Sequence, residues 1–238
     1  MSILSDPRRS SRLAAGIGLI GFSALLPIED RVDPTSGVSF HDAAVAHPGL
    51  LTVSALTLLG SAILTVPAIT GIIHQANARG AVLARLGGFF TLLGALGHTA
   101  LATVYLVMRS LAGGDPVEMA GFEERLNADV PIGVVASVLL LSFGVGLTLL
   151  AWAAMRAGLI GWWAPTVITA VVLAHAALPE DLPPVIPFTA LIAIAVVFGL
   201  LGLRALTMSD AEWSPSPVAE MAMRAGAPAH APSPEAAQ

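Results

Sequence analysis

Residues 82–108 read VLARLGGFFTLLGALGHTALATVYLVM. Arg85 near the start and His98 past the middle are the only basic or imidazole side chains in this run, and it carries no acid. A bilayer core about 30 Å thick takes roughly 20 apolar residues as a helix. This run is long enough to cross it. Five more apolar runs flank it, over 13–28, 50–73, 131–155, 158–178 and 184–206. Together they predict an all-α polytopic membrane protein, a bundle of six transmembrane helices over 13–207. An N-terminal segment, 1–12, precedes the bundle, and a tail, 208–238, follows it.

Composition agrees. Of the 238 residues, 55% are hydrophobic and 11% charged, and mean hydropathy is +0.81. A soluble domain carries about 25% charged residues. Six spans use most of the chain, so no separate soluble domain fits. The chain has no Cys, which excludes disulfides, thiolate metal sites and thiol catalysis. All 11 basic residues are Arg, so Schiff-base chemistry on Lys is excluded. A net charge of −5 is no footprint for nucleic acid.

Charge gives an orientation. Arg8, Arg9 and Arg12 precede the first run, which places that end in the cytoplasm. No small-residue cleavage site follows the run, so it reads as an uncleaved anchor. Alternating crossings then put Arg79, Arg85, Arg156, Arg204 and Arg224 inside, and Arg31, Arg109 and Arg125 outside. Of the 16 acids, 11 fall in the outer segments. The reading is a cell-membrane protein with both termini cytoplasmic.

Local signals fill in the connections. Ser39 followed by Asp42 resembles a capping box and predicts a short helix. Asp115, Pro116 and Glu118 fit N-cap, N1 and N3 of a helix in the outer segment 110–130. Met119, Phe122 and Leu126 share one face of it, the pattern of a helix lying on the membrane. Asn77, Arg79 and Gly80 make a tight inner turn. Pro67 marks a kink in the second run. Trp152, Trp162 and Trp163 cluster as an inner aromatic belt. The segment past Met208 is Pro, Ala, Ser and Glu, and reads as a disordered cytoplasmic tail.

Gly16, Gly18 and Gly21 spell a literal G-x-G-x-x-G, but no strand or βαβ unit frames it, as a dinucleotide site requires. These glycines, with Gly87, Gly88, Gly94 and Gly97, read as close helix contacts. Arg12 and Arg85 each open a similar Arg-Leu-small-small pattern, read as a snorkelling Arg followed by packing residues. Thr57, Ser61, Thr65 and Thr70 give the second run a partly polar stripe; such hydroxyls also satisfy backbone freed by Pro67.

The histidines are the candidate site. His98 is the deepest ionisable group in any span, and an intramembrane ionisable group is a functional hypothesis by default. His175 lies near the outer end of the fifth run at a related depth; His41 and His47 lie in the first outer loop. Imidazole ligates metals and haem. His98 and His175 are therefore candidate cofactor ligands, and His41 and His47 candidate metal ligands, for haem or a divalent metal. Against this, a neutral His also serves as a polar packing group between helices. The acidic pairs Glu123-Glu124 and Glu180-Asp181 read as solvated loop charge.

The Arg-Leu-small-small helix starts at Arg12 and Arg85, the Arg-only basic set and the Ala/Pro-rich tail resemble small uncharacterised multi-pass membrane proteins of high-GC actinobacteria. That resemblance implies location and fold class and carries over no site residue. Two functional readings stay open. The first is a non-enzymatic integral membrane protein, either an interaction subunit or a small-solute permease-like protein, with the bilayer and a partner protein or second copy as its company. The second is a haem- or metal-binding membrane protein, with redox activity a role such a group would bring. A metal-dependent lipid hydrolase is disfavoured, because the acids lie in loops.

Overall fold

A computed structural model describes residues 6–77, 79–177 and 185–213, without the side chains of 175 and 176. The described chain is helical, with no strand among the described residues. Its elements are α1 (Pro7–Val32), α2 (Phe40–Ala46), α3 (Pro48–Gln75), α4 (Ala81–Leu111), α5 (Pro116–Ala128), α6 (Val130–Arg156), α7 (Trp163–Ala177), α8 (Val185–Thr207) and α9 (Asp210–Trp213). Among the described residues, α1, α3, α4, α6 and α8 are long and apolar enough to cross a membrane. The protein is an integral, multi-pass membrane protein of the helical-bundle kind. The shorter α7 covers the fifth apolar run.

Local chemistry sets the ends. The Asp6 side chain accepts from Arg8 N and Pro7 sits at N1, so α1 starts six residues before the apolar run does. Ser39 caps α2 by accepting from Asp42 N at 3.0 Å. Asp115 caps α5 through Val117 N at 2.8 Å. Gly80, between α3 and α4, has φ +102°, a left-handed conformation that a side chain resists. A Cβ there would also come to 3.0 Å from Ala153 O. α3 continues through Pro67 as one helix.

The long helices form a closed ring in which α1 packs on α3, α3 on α4, α4 on α6, α6 on α7, α7 on α8 and α8 on α1. In lipid, water drives no association between helices, so close packing must. The sequence supplies it with small residues. A Cβ on Gly18 would lie 2.8 Å from Leu64 O in α3, and one on Gly202 would lie 2.8 Å from Gly16 O in α1. Gly94 stands directly against Phe143, and Gly146 directly against Thr91.

The end of the bundle where α1 starts and α8 finishes is the terminal end; the opposite end, bearing α2 and α5, is the loop end. Toward the terminal end the ring is filled. Phe22, Leu147, Leu150, Ile168, Val197 and Phe198 are all buried in one cluster, with Phe22 and Phe198 edge to face at 5.5 Å. A second cluster of Ala44, Leu51, Ala55, Leu58, Ala102 and Tyr105 joins α2 to α3 and α4.

The chain stays packed on the bundle through Trp213, beyond the point where the tail is expected to begin. Residues 214–238 lie outside the described residues. So do Glu180 and Asp181.

Candidate functional site

Three groups of polar side chains meet inside or at the ends of this bundle. The first is at the loop end. α1 finishes with Asp33 as its C-cap. Asp33 accepts from Thr35 N at 2.9 Å, from Thr35 Oγ1 at 2.8 Å and from the Tyr105 hydroxyl at 2.9 Å. Tyr105 is 3% exposed, and a buried phenol needs such a partner. One turn back, Glu29 accepts from Ser54 Oγ of α3 at 2.8 Å. Arg31 stacks its guanidinium over Phe188 of α8, 4.2 Å from the ring centroid, a cation–π contact. The last turns of α1 are thus tied to α3, α4 and α8.

Glu123 overturns the reading of its acidic pair as solvated loop charge. It is 9% exposed and accepts from Phe40 N at 2.8 Å and His41 N at 3.4 Å. Those two amides open α2, where the unpaired N–H groups and the helix dipole attract an anion. Glu124 stays exposed. On α5, Met119 is buried within the protein rather than left free to lie on a membrane, while Phe122 of the same face remains exposed.

The second group is the histidines. His98 sits on the face of α4 that also presents Thr91, Ala95, Ala102 and Tyr105, all buried. Its ring lies 4.5 Å from that of Phe143 in α6, and its Nδ1 is buried without a hydrogen-bond partner. The side chain of His175 lies outside the described residues. His41 is 8% exposed, with a buried and unpartnered Nδ1. His47 is exposed at the junction of α2 and α3. The structure separates these two loop histidines by burial. Among the described residues, no three His, Asp or Glu side chains converge to hold a metal ion.

The third group closes the terminal end. Arg12, read as a snorkelling side chain, is instead 9% exposed and pairs with Asp210 at 3.0 Å. It also donates to Leu206 O at 2.7 Å and Ala205 O at 3.3 Å, supplying donors to the carbonyl end of α8. Arg85, in the matching position on α4, is exposed. Trp213 is 3% exposed against Ala15 and Ala205. Its indole donates to Ser11 Oγ at 3.1 Å. Its carbonyl accepts from Gln75 Nε2 at 3.1 Å and meets His74 Nε2 at 2.9 Å, and its ring lies 5.2 Å from that of His74. Ser209 and Glu212 complete the clasp with a reciprocal capping box, Ser209 N to Glu212 Oε2 at 2.8 Å and Glu212 N to Ser209 Oγ at 3.2 Å. Hydrogen bonds from the Ser209 backbone and hydroxyl hold the Glu212 carboxyl below its usual range.

Sequence reasoning missed Glu29, Asp33, Tyr105 and Trp213. Tyr105 is the only Tyr in the chain, two turns past His98 on one face. That spacing was the available signal. No protein-family model, curated protein or solved structure matches this chain.

Proposed function

We propose that this protein is a non-enzymatic subunit of a membrane assembly, with six spans, and that its partner is a transmembrane helix seated on the loop-end half of α6. The observation that carries the reading is the exposure of that half. From Val130 to Leu141 every residue but Leu139 is exposed, including Ile132, Val134, Val135 and Val138. A ring helix ordinarily hides one face against each neighbour. Here α4 and α6 part above the Gly97–Leu139 contact and leave an apolar cleft of about 410 Å³ between Val104 and Val135. Gly133 and Ser137 lie one turn apart on the bare segment, and a Cβ on Gly133 would meet nothing within 4 Å. Small residues at such spacing let a second helix approach closely. The filled terminal half of the ring favours this reading over a permease with a path through its centre.

The count of six spans takes α7 as a crossing. It is supported by the place of α7 in the ring between α6 and α8, and by the contact of Asp210 with Arg12. Two ends of a chain on one side of a bundle require an even number of crossings. The Arg asymmetry supports a cytoplasmic terminal end.

The absence of Cys makes the test clean. Val135→Cys, labelled with a benzophenone maleimide and irradiated in native membranes, is expected to give a cross-linked adduct, whose mass tells a second copy from another protein. Ala55→Cys, fully buried, is the control. A scan of Cys substitutions over 132–138 that yields only monomer would sink the proposal. Reporter fusions at residues 40, 78 and 120 test the orientation and are expected to read outside, inside, outside.

A further inference from the structure

Among the described residues, every buried hydroxyl but that of Ser61 has a hydrogen-bond partner. Ser23, Thr57, Thr65, Thr91 and Ser142 each donate to the carbonyl four residues back in their own helix, at 2.6–2.8 Å. Ser54 instead donates a hydrogen bond to Glu29 of α1. Ser61 is 1% exposed, and its Oγ has no partner. Its ordinary acceptor would be Thr57 O, which it does not use. The one other buried partnerless side-chain atom among the described residues of α3 and α4 is His98 Nδ1.

The two residues lie at a similar height. Gly88 of α4 abuts Ile69 and Ile73 of α3. Counting along the antiparallel pair from those contacts sets Ser61 level with residues 96 to 100, a range centred on His98. Both side chains stand among buried positions of their helices, Ser61 between Leu58 and Thr65 and His98 between Ala95 and Ala102. Gly60 abuts Leu25 of α1, which brings Ser23 to the same height. Gly199 of α8 is also there, and a Cβ on it would come no nearer than 4.0 Å, to Ser23 Oγ. That is open beside Gly18, Gly94 or Gly202, where a Cβ would strike a neighbour. The layer therefore combines two unsatisfied polar atoms with slack in the packing.

We propose that Ser61 Oγ and His98 Nδ1 jointly bind one water molecule in the middle of the bundle. Water both donates and accepts, so it satisfies a hydroxyl and an imidazole nitrogen at once, whichever tautomer the ring adopts. Buried waters settle where otherwise unpaired polar groups converge. A water here gives His98 an exchangeable hydrogen-bond partner deep within the span, far from the polar network at Asp33.

The test uses the full chain in lipid bilayers, with ¹⁵N-labelled histidine and water-edited solid-state NMR. Transfer from water to the His98 ring is expected, its peak assigned by loss in His98→Phe. The peak is expected to lose that transfer in Ser61→Ala. His47, exposed, supplies the positive control. No transfer at His98 while His47 shows it, or transfer that Ser61→Ala leaves unchanged, overturns the proposal. Thermal unfolding gives a second reading. If water bridges the pair, Ser61→Ala strands His98 and lowers the midpoint by about 2–4 °C. If Ser61 is a true orphan, the same change relieves a buried polar group and raises the midpoint, which also overturns the proposal.

Discussion

Trp213→Ala should open the terminal end of the bundle without unfolding it. Truncating a buried Trp costs about 3–5 kcal/mol in a packed site, and each lost hydrogen bond of the clasp about 1 kcal/mol. Ordering the short segment from Ser209 to Trp213 costs about 1–2 kcal/mol per residue. Gains and costs are of one size, so the closed clasp is favoured by a small margin, on the order of 1–2 kcal/mol. The indole alone exceeds that margin, and its loss releases α9 while α1, α3 and α8 keep their own contacts. Ala205 lies under Trp213, 6% exposed. In a chain with no Cys, Ala205→Cys is a single reporter, and its alkylation by a water-soluble maleimide reads the open fraction. The expected result is a rise of about tenfold on adding Trp213→Ala, with the thermal midpoint of the bundle little changed. Trp213→Phe keeps a ring beside His74 but loses the bond to Ser11, and should fall between. Equal alkylation in all three backgrounds would refute the reasoning. So would a fall in midpoint with no gain in alkylation, because Trp213 would then belong to the global core.

Other parts of the bundle make their own predictions. Gly18→Leu forces side-chain atoms into the Leu64 and Ala68 backbone of α3 and should cost about 1–3 kcal/mol or more, read as a lower midpoint in detergent; Gly133→Leu, with nothing nearby, should leave the midpoint unchanged. Tyr105→Phe removes the donor to Asp33 and should destabilise by about 1 kcal/mol, measured by chemical denaturation; no change would mean Asp33 finds water instead. Glu123→Gln weakens the anionic cap of α2 and should raise hydrogen exchange over Phe40–Ala46 severalfold, on a cap contribution of about 0.5–2 kcal/mol. The capping box of α9 carries a pH sign. The folded Glu212 carboxyl titrates below its unfolded value, so its contribution is complete above about pH 4.3 and lost as pH falls through the folded value. Hydrogen exchange in α9, corrected for intrinsic rates, should stay flat from pH 7 to pH 5 and rise below pH 4.

What the sequence made legible follows the range of each interaction. The five long apolar helices, the caps at Ser39 and Asp115 and the tight turn at Gly80 depend on residues within a few positions of one another, and could be read directly. The packing glycines were legible as a class, since a helix in lipid has little other reason for Gly16, Gly18 and Gly21 in its first turns. Which helix each one meets was not, because that depends on register across the ring. The site suffers most from this. Glu123 and Phe40 are 83 residues apart, Asp33 and Tyr105 72, and Arg12 and Asp210 198; nothing local distinguishes a carboxylate that caps a distant helix from one in water. Burial of a charged group inside a membrane protein must be matched by partners, and here the partners are brought by the fold. The same logic separates His98 from the other histidines. Its depth was visible from the length of 82–108, but its significance rests on Ser61, whose hydroxyl looked like one of several in a Pro-containing helix. Only when the other buried hydroxyls prove to have partners does Ser61 stand out, and with it the reason His98 is more than a packed ring.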